Sequence, residues 1–237
     1  MNLSPDFLLN GTLWYVAFLF STTLHEASHA LVAKRLGDLT AYEQGHVTLD
    51  PIPHMRREPF GTIIVPILSY LMGGWMIGWA SVPYNFQWAL DYPKRSAKMS
   101  LAGPAANLLL VLVTAGIIRG GITAEVFVPP EAVDPMHIVG SADGGAFSTL
   151  ASFISVFFSL NLLLFIFNLL PIPPLDGSGI LTLFLSDDQS RKYLLFIRRP
   201  QFSFVGLLVA WKLFGIIYHP FHLAVINLLY TSIAHYG

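Results

Sequence analysis

The chain has no cysteine among its 237 residues. That absence excludes a disulfide framework, a thiolate metal site and a cysteine nucleophile, and it leaves histidine and carboxylate side chains to hold any transition metal. Charge is scarce as well. Only 11% of the residues are Asp, Glu, Lys or Arg, where a soluble domain carries about 25%. A formal net charge of −1 gives no reason to expect nucleic acid as a partner. Residues 1–6 lack the basic stretch that opens a secretory signal, so no cleavable signal peptide is expected. Internal repeats and low-complexity tracts are missing.

Apolar residues fill the chain instead: 54% are hydrophobic and 14% aromatic, with a mean hydropathy of +0.60. Several charge-free stretches approach the roughly 20 residues that cross a bilayer. These features predict an all-α polytopic membrane protein. Full spans are expected over residues 7–33, 99–118, 146–170, 202–218 and 221–234, about five in all. The last two form a closing helical hairpin around His219-Pro220. Residues 61–82 are apolar but broken by Pro66, Gly73-Gly74 and Gly78. Gly45-His46-Val47-Thr48-Leu49 reads as a short membrane-associated strand before the turn at Asp50-Pro51-Ile52-Pro53. Residues 119–145 read as a loop, and 177–201 as an interfacial segment.

Charge sets the topology. Eleven of the 13 Lys and Arg residues, all but Arg119 and Lys212, fall in segments that the positive-inside rule assigns to the cytoplasm. One face can hold all of them only if 61–82 enters and leaves on the same side, as a re-entrant hairpin turning near Gly73-Gly74. Backbone of that kind survives at depth only when buried in protein or lining water. Lys212, in mid-span, fits this scheme least well.

Against this background His25-Glu26-Ala27-Ser28-His29 stands out, because ionisable groups inside a span usually mark function. Residues at i and i+4 share a helix face, so both imidazoles can point at one ion with Glu26 beside it. This is the H-E-x-x-H pattern, in which two histidines bind zinc and the glutamate acts as base. A second motif, Asn168-Leu169-Leu170-Pro171-Ile172-Pro173-Pro174-Leu175-Asp176-Gly177, ends the third span. Its prolines break the helix, and Asp176 falls at the depth of the two histidines. Catalytic zinc takes three protein ligands and keeps a fourth position open. His25, His29 and Asp176 make that set, for one Zn2+ per chain. Asn161 and Asn168, seven apart, share a helix face and are expected to point into the same cavity.

These residues resemble the site-2 protease family of intramembrane zinc metalloproteases. His25-Glu26-x-x-His29 is similar to its zinc-and-base motif, and Asn168-x-x-Pro171-x-Pro173-x-Leu175-Asp176-Gly177 to its second signature. Ala102-Gly103-Pro104-Ala105-Ala106-Asn107 resembles a motif on the intervening core helix. The segment from Gly45 to Thr62 resembles one seen in the small branch, and neither a PDZ nor a CBS domain is expected.

The resemblance implies one membrane-embedded metalloprotease domain over 1–237, with its catalytic core at about 7–185. It implies hydrolysis of a peptide bond in a single-span membrane protein, within the bilayer of the cell membrane and near the cytoplasmic side. Glu26 would move the proton, Asn168 would stabilise the oxyanion, and Asn107 is a weaker second candidate for that donor. The strand around Val47 is expected to pair with unwound substrate.

Simpler readings stand beside these. Asp176 alone reads as a helix N-cap, Asn107 as an interhelical hydrogen bond and Gly103-Pro104 as a packing contact. His46 and His54 read as interfacial or gate residues, and His219 and His222 as a solvated turn. The competing function is a metal-binding or metal-transporting membrane protein without protease activity. Such a protein spreads its ionisable residues along a crossing path, often in repeats; here they gather at one point. A soluble metalloprotease is excluded by composition.

Overall fold

Ser4 and Gly37 bracket the first helix, α1 (Pro5–Leu36): the Ser4 hydroxyl accepts from the Phe7 N–H, Pro5 opens the first turn, and Gly37 closes the last at φ 106°. The structure, a computed structural model, describes residues 4–145 and 147–236. Two short helices follow, α2 (Thr40–Glu43) and α3 (Pro51–Arg57). The strand expected at 45–49 does not form. Those residues make turns and bends, because among the described residues no second strand lies beside them to complete a ladder. Asp50 instead caps α3 by accepting from the Ile52 N–H, with Pro51 in the first turn.

Residues 60–79 do fold as a hairpin. A wide helical turn at Phe60–Ile64 leads into α4 (Val65–Gly73), which stops at Gly74 with φ 74°. The chain then returns in extended form, and the Trp79 N–H donates to the Gly61 carbonyl at 3.0 Å, joining the two limbs at their base. A Cβ on Gly61 or Gly78 would collide with the opposite limb, so this close approach requires glycine at both positions.

Next come α5 (Phe86–Asp91) and the long α6 (Pro93–Thr123). The loop after α6 holds a two-residue antiparallel ladder, β1 (Phe127–Val128) with β2 (Gly140–Ser141). It packs through Phe127, Ile138 and Val139 into the largest core cluster. These are the strands among the described residues, and they lie far in sequence from Val47. The chain continues through α7 (Ser148–Asn168), α8 (Asp176–Ile180), α9 (Asp187–Ile197) and α10 (Pro200–Leu229).

The helix α10 corrects the expected closing hairpin. It runs unbroken through His219-Pro220 for 30 residues, so one helix replaces two, and four helices among the described residues are long and apolar enough to cross a membrane. Pro220 removes a single N–H donor, a loss that an apolar helix tolerates when its surroundings favour continuous backbone bonding.

Side-chain contacts fix the directions of the core helices. His25 meets Asn107 and His29 meets Met99, so α6 runs antiparallel to α1. Ser21 and Asn107 both reach Asn161, tying α7 to the same layer. Arg119, near the end of α6, donates to the Leu229 and Thr231 carbonyls, which places the end of α10 beside it.

Candidate metal centre

The centre is built where α1, α6 and the start of α8 meet. His25 and His29, one turn apart on α1, are each 6% exposed. The His25 Nδ1–H donates to the Asn107 Oδ1 at 2.6 Å, and the His29 Nδ1–H donates to the Met99 carbonyl at 2.7 Å. A neutral imidazole carries one N–H, so these two bonds leave both Nε2 atoms as bare lone pairs. The tautomers follow from the partners. A carbonyl can only accept, and the Asn107 amide is oriented by its own Nδ2, which donates to Asn161 Oδ1 at 2.8 Å. Asn161 in turn donates to Ser21 Oγ and the Phe157 carbonyl.

The two Nε2 atoms stand 3.0 Å apart, and Asp176 Oδ2 lies 3.1 Å from one and 3.3 Å from the other. Three acceptors converge with no hydrogen between them, an arrangement that a cation resolves. The residues therefore fit a metal ion. Tetrahedral zinc with bonds of about 2.0–2.1 Å holds its ligand atoms roughly 3.3 Å apart. A Cβ built on Gly103 would fall closer than 3 Å to both Nε2 atoms, so the backbone of α6 passes too close to the two histidines to leave room even for a methyl group. Helix-forming residues with a Cβ are closed to that position.

Asp176 reaches the centre because α7 ends at Asn168 and the proline run turns the chain. Asp176 then opens α8 rather than capping it, since the cap position belongs to Leu175 and has no side-chain bond. Lys94 secures the far end of this segment: its Nζ donates to the carbonyls of Thr182 (2.7 Å), Leu183 (3.0 Å) and Leu185. Thr182 Oγ1 adds a bond to the Pro93 carbonyl at 3.1 Å. The start of α6 thus holds the segment that carries Asp176.

Glu26 is 7% exposed and makes no hydrogen bond or salt bridge among the described residues. It lies one residue after His25 and three before His29, on the flank of their shared face. Asn161 and Asn168 bond to different partners. Asn161 is fully buried in the Ser21–Asn107 chain, whereas the Asn168 Nδ2 turns back to the Leu164 carbonyl at 3.0 Å. Asn107 makes an interhelical bond, to His25. The packing contact expected at Gly103 is present, against His25 and His29; sequence reasoning missed Met99 and Lys94 as parts of the site. Gly103 and Met99 lie four and eight positions before Asn107 on α6, the spacing of one helix face. His46 and His54 are buried together elsewhere, with rings 5.2 Å apart.

Fold and centre together define a membrane-embedded helical protein with a buried His/His/carboxylate site for a transition metal. A model of peptidase family M50 matches residues 13–213, and the chain belongs to that family, the site-2 protease family of zinc metallopeptidases. It is 38% identical over 168 residues to a Bacillus subtilis protein named "Putative zinc metalloprotease YwhC", across 70% of this chain and 66% of that protein. It is 32% identical over 174 residues to Rip2 of Mycolicibacterium smegmatis, across 73% of this chain and 58% of the relative. It is 31% identical over 217 residues to Rip2 of Mycobacterium tuberculosis, across 89% and 73%. The chain therefore spans just under two thirds of the first relative's length and less of the second's. No solved structure matches it.

Proposed function

We propose that this chain is an intramembrane zinc metalloprotease, cutting a peptide bond in or near the transmembrane segment of a membrane-anchored protein. The observation that carries the proposal is the convergence of His25 Nε2, His29 Nε2 and Asp176 Oδ2 within 4.8 Å of one another, next to the unpaired carboxylate of Glu26. His25, His29 and Asp176 hold the ion in this reading. Zinc, when bound, polarises a carbonyl and lowers the pKa of a water to about 7.

The chain's own residues do the rest. Glu26 accepts the proton of the attacking water and returns it to the leaving amine. Asn107 and the Met99 carbonyl keep both imidazoles in the tautomer that presents Nε2. Asn168 is the oxyanion donor, through the amide hydrogen that its bond to Leu164 leaves free. The catalytic unit is residues 7–185. The protein sits in the cell membrane with the basic end of its helices in the cytoplasm, so the cut falls in the cytoplasmic half of the substrate span. The fold supports the depth: α1 continues past His25 for 11 residues to Leu36, about 16 Å of helix.

The test is reconstitution of the purified protein with a panel of single-span proteins from the same cell. Cleavage that a chelator stops and zinc restores is the expected result. Zinc movement across the vesicle wall with every substrate intact would favour the transporter reading and overturn this one.

A further inference from the structure

The helix α10 is packed on one side only. Gly206, Ala210, Phe214 and Ile217 lie along its inner face. Ala210 is fully buried with Leu170 and Leu175, and Phe214 and Ile217 pack on the same cluster. A Cβ on Gly206 would collide with the Pro173 carbonyl. At 100° per residue, the opposite face carries Val205, Leu208, Lys212, Gly215 and His219. All five are exposed, and a Cβ on Gly215 would meet nothing within 4 Å. Their spacing of three, four, three, four residues is the repeat by which one helix packs along another. Of the most apolar window of α10 only 11% is buried, against 56% for α7.

Lys212 is the anomaly on this seam. It lies 12 residues into a 30-residue helix, about 18 Å along a length of about 45 Å. Its neighbour Trp211 stacks on Trp75, with ring centroids 6.1 Å apart, and Trp75 follows the tip of the hairpin at Gly74. Lys212 therefore sits level with that tip, with about 18 Å of helix on one side of it and about 27 Å on the other. It forms no salt bridge or hydrogen bond among the described residues, and no Asp or Glu occurs anywhere in 200–237. An ammonium group in hydrocarbon is costly without a counter-charge.

We propose that this outer seam of α10 docks a transmembrane helix of another protein, one that carries an Asp or Glu at mid-membrane to pair with Lys212. Gly215, one turn on, lets the two backbones approach closely. A second copy of this chain is the wrong occupant: both copies share one orientation in the bilayer, so a two-fold pairing on this seam sets Lys212 against Lys212. The occupant is not the peptide being cut either, because the seam faces away from the segment that delivers Asp176. It is an accessory membrane protein. The inference rests on the membrane-spanning fold alone and stands whether or not the chain is a protease.

The test uses the full chain in phosphatidylcholine vesicles, labelled as an energy-transfer donor. The acceptors are a polyleucine transmembrane peptide with one central Asp and its Asn counterpart. The Asp peptide is expected to associate about tenfold more tightly than the Asn peptide. Lys212→Met should abolish the difference, and Lys212→Arg should keep it. Helix content and zinc binding should be unchanged in both variants. Lys212→Glu should transfer the preference to a peptide with a central Lys, which guards against a variant that simply packs poorly. Equal association of the Asp and Asn peptides, or a preference that survives Lys212→Met, would overturn the proposal. So would self-association of the chain through Gly215→Cys cross-links that excludes the peptide.

Discussion

The imidazole of His25 on α1 donates to the side-chain carbonyl of Asn107 on α6 at 2.6 Å, across 82 residues of sequence. This bond turns the other nitrogen of His25, Nε2, toward His29 and Asp176. Asn107 is itself fully buried and pinned by Asn161, so its carbonyl has no freedom to turn away. Replacing Asn107 with Leu removes the acceptor and leaves Nδ1–H buried without a partner. Loss of such a bond behind a metal-ligating histidine weakens metal binding by about 10- to 100-fold. Zinc titration of the purified variant should show a fall in that range, with the helical signal retained.

Gly103 makes a sharper demand. Because its Cβ would occupy the space in front of both Nε2 atoms, Gly103→Ala is expected to fold and yet bind little zinc. Metal analysis after dialysis measures this directly. Gly116, a glycine of the same helix whose Cβ would meet nothing within 4 Å, supplies the control. Gly116→Ala should retain full zinc and gain a few tenths to about 1 kcal/mol of helix stability.

The parts of the centre that were legible in the sequence are the parts with local rules. The i, i+4 spacing of His25 and His29 is a property of one helix, and the proline run before Asp176 announces a helix end inside the membrane. Partners across helices were not legible. Which of several buried amides meets His25 depends on how α6 packs on α1, and periodicity alone left Asn107 between a structural and a chemical role. The same holds for Gly103, whose missing side chain matters only once His25 and His29 are opposite it.

The fold shows a similar division. The charge distribution was enough to foresee the hairpin that turns at Gly74. By contrast, Val47 and Thr48 looked like a strand, but a strand requires a neighbour and none is in place among the described residues. Pro220 looked like a break, but its cost is one backbone bond in a helix of 30 residues. Short strands and proline breaks are decided by their surroundings, which a single sequence does not display.

Lys94 joins the two ends of the site. It gathers three carbonyls at the end of the Asp176 segment. Hydrogen bonds to a charged donor contribute about 1.5–3 kcal/mol each in favourable settings. Lys94→Met should therefore lower stability by about 2 kcal/mol or more, read as a drop in unfolding midpoint. Because Asp176 loses its anchor while His25 and His29 keep theirs, zinc affinity should fall as well, by roughly tenfold. Lys94→Arg, which keeps the charge and the donors, should recover part of both.

The central claim is that one glutamate moves protons while two histidines and an aspartate hold the metal. It is tested most directly by measuring zinc content and substrate cleavage on the same preparations of wild type and Glu26→Gln. The amide keeps the size of Glu26 and removes its basicity, and Glu26 is not among the three ligands. Glu26→Gln should carry about one zinc per chain, as wild type does, and lose cleavage by a factor on the order of 10² to 10⁴, the usual contribution of a general base. Cleavage at the wild-type rate with zinc in place would contradict the mechanism, and loss of zinc along with activity would move Glu26 from the base to the ligand set.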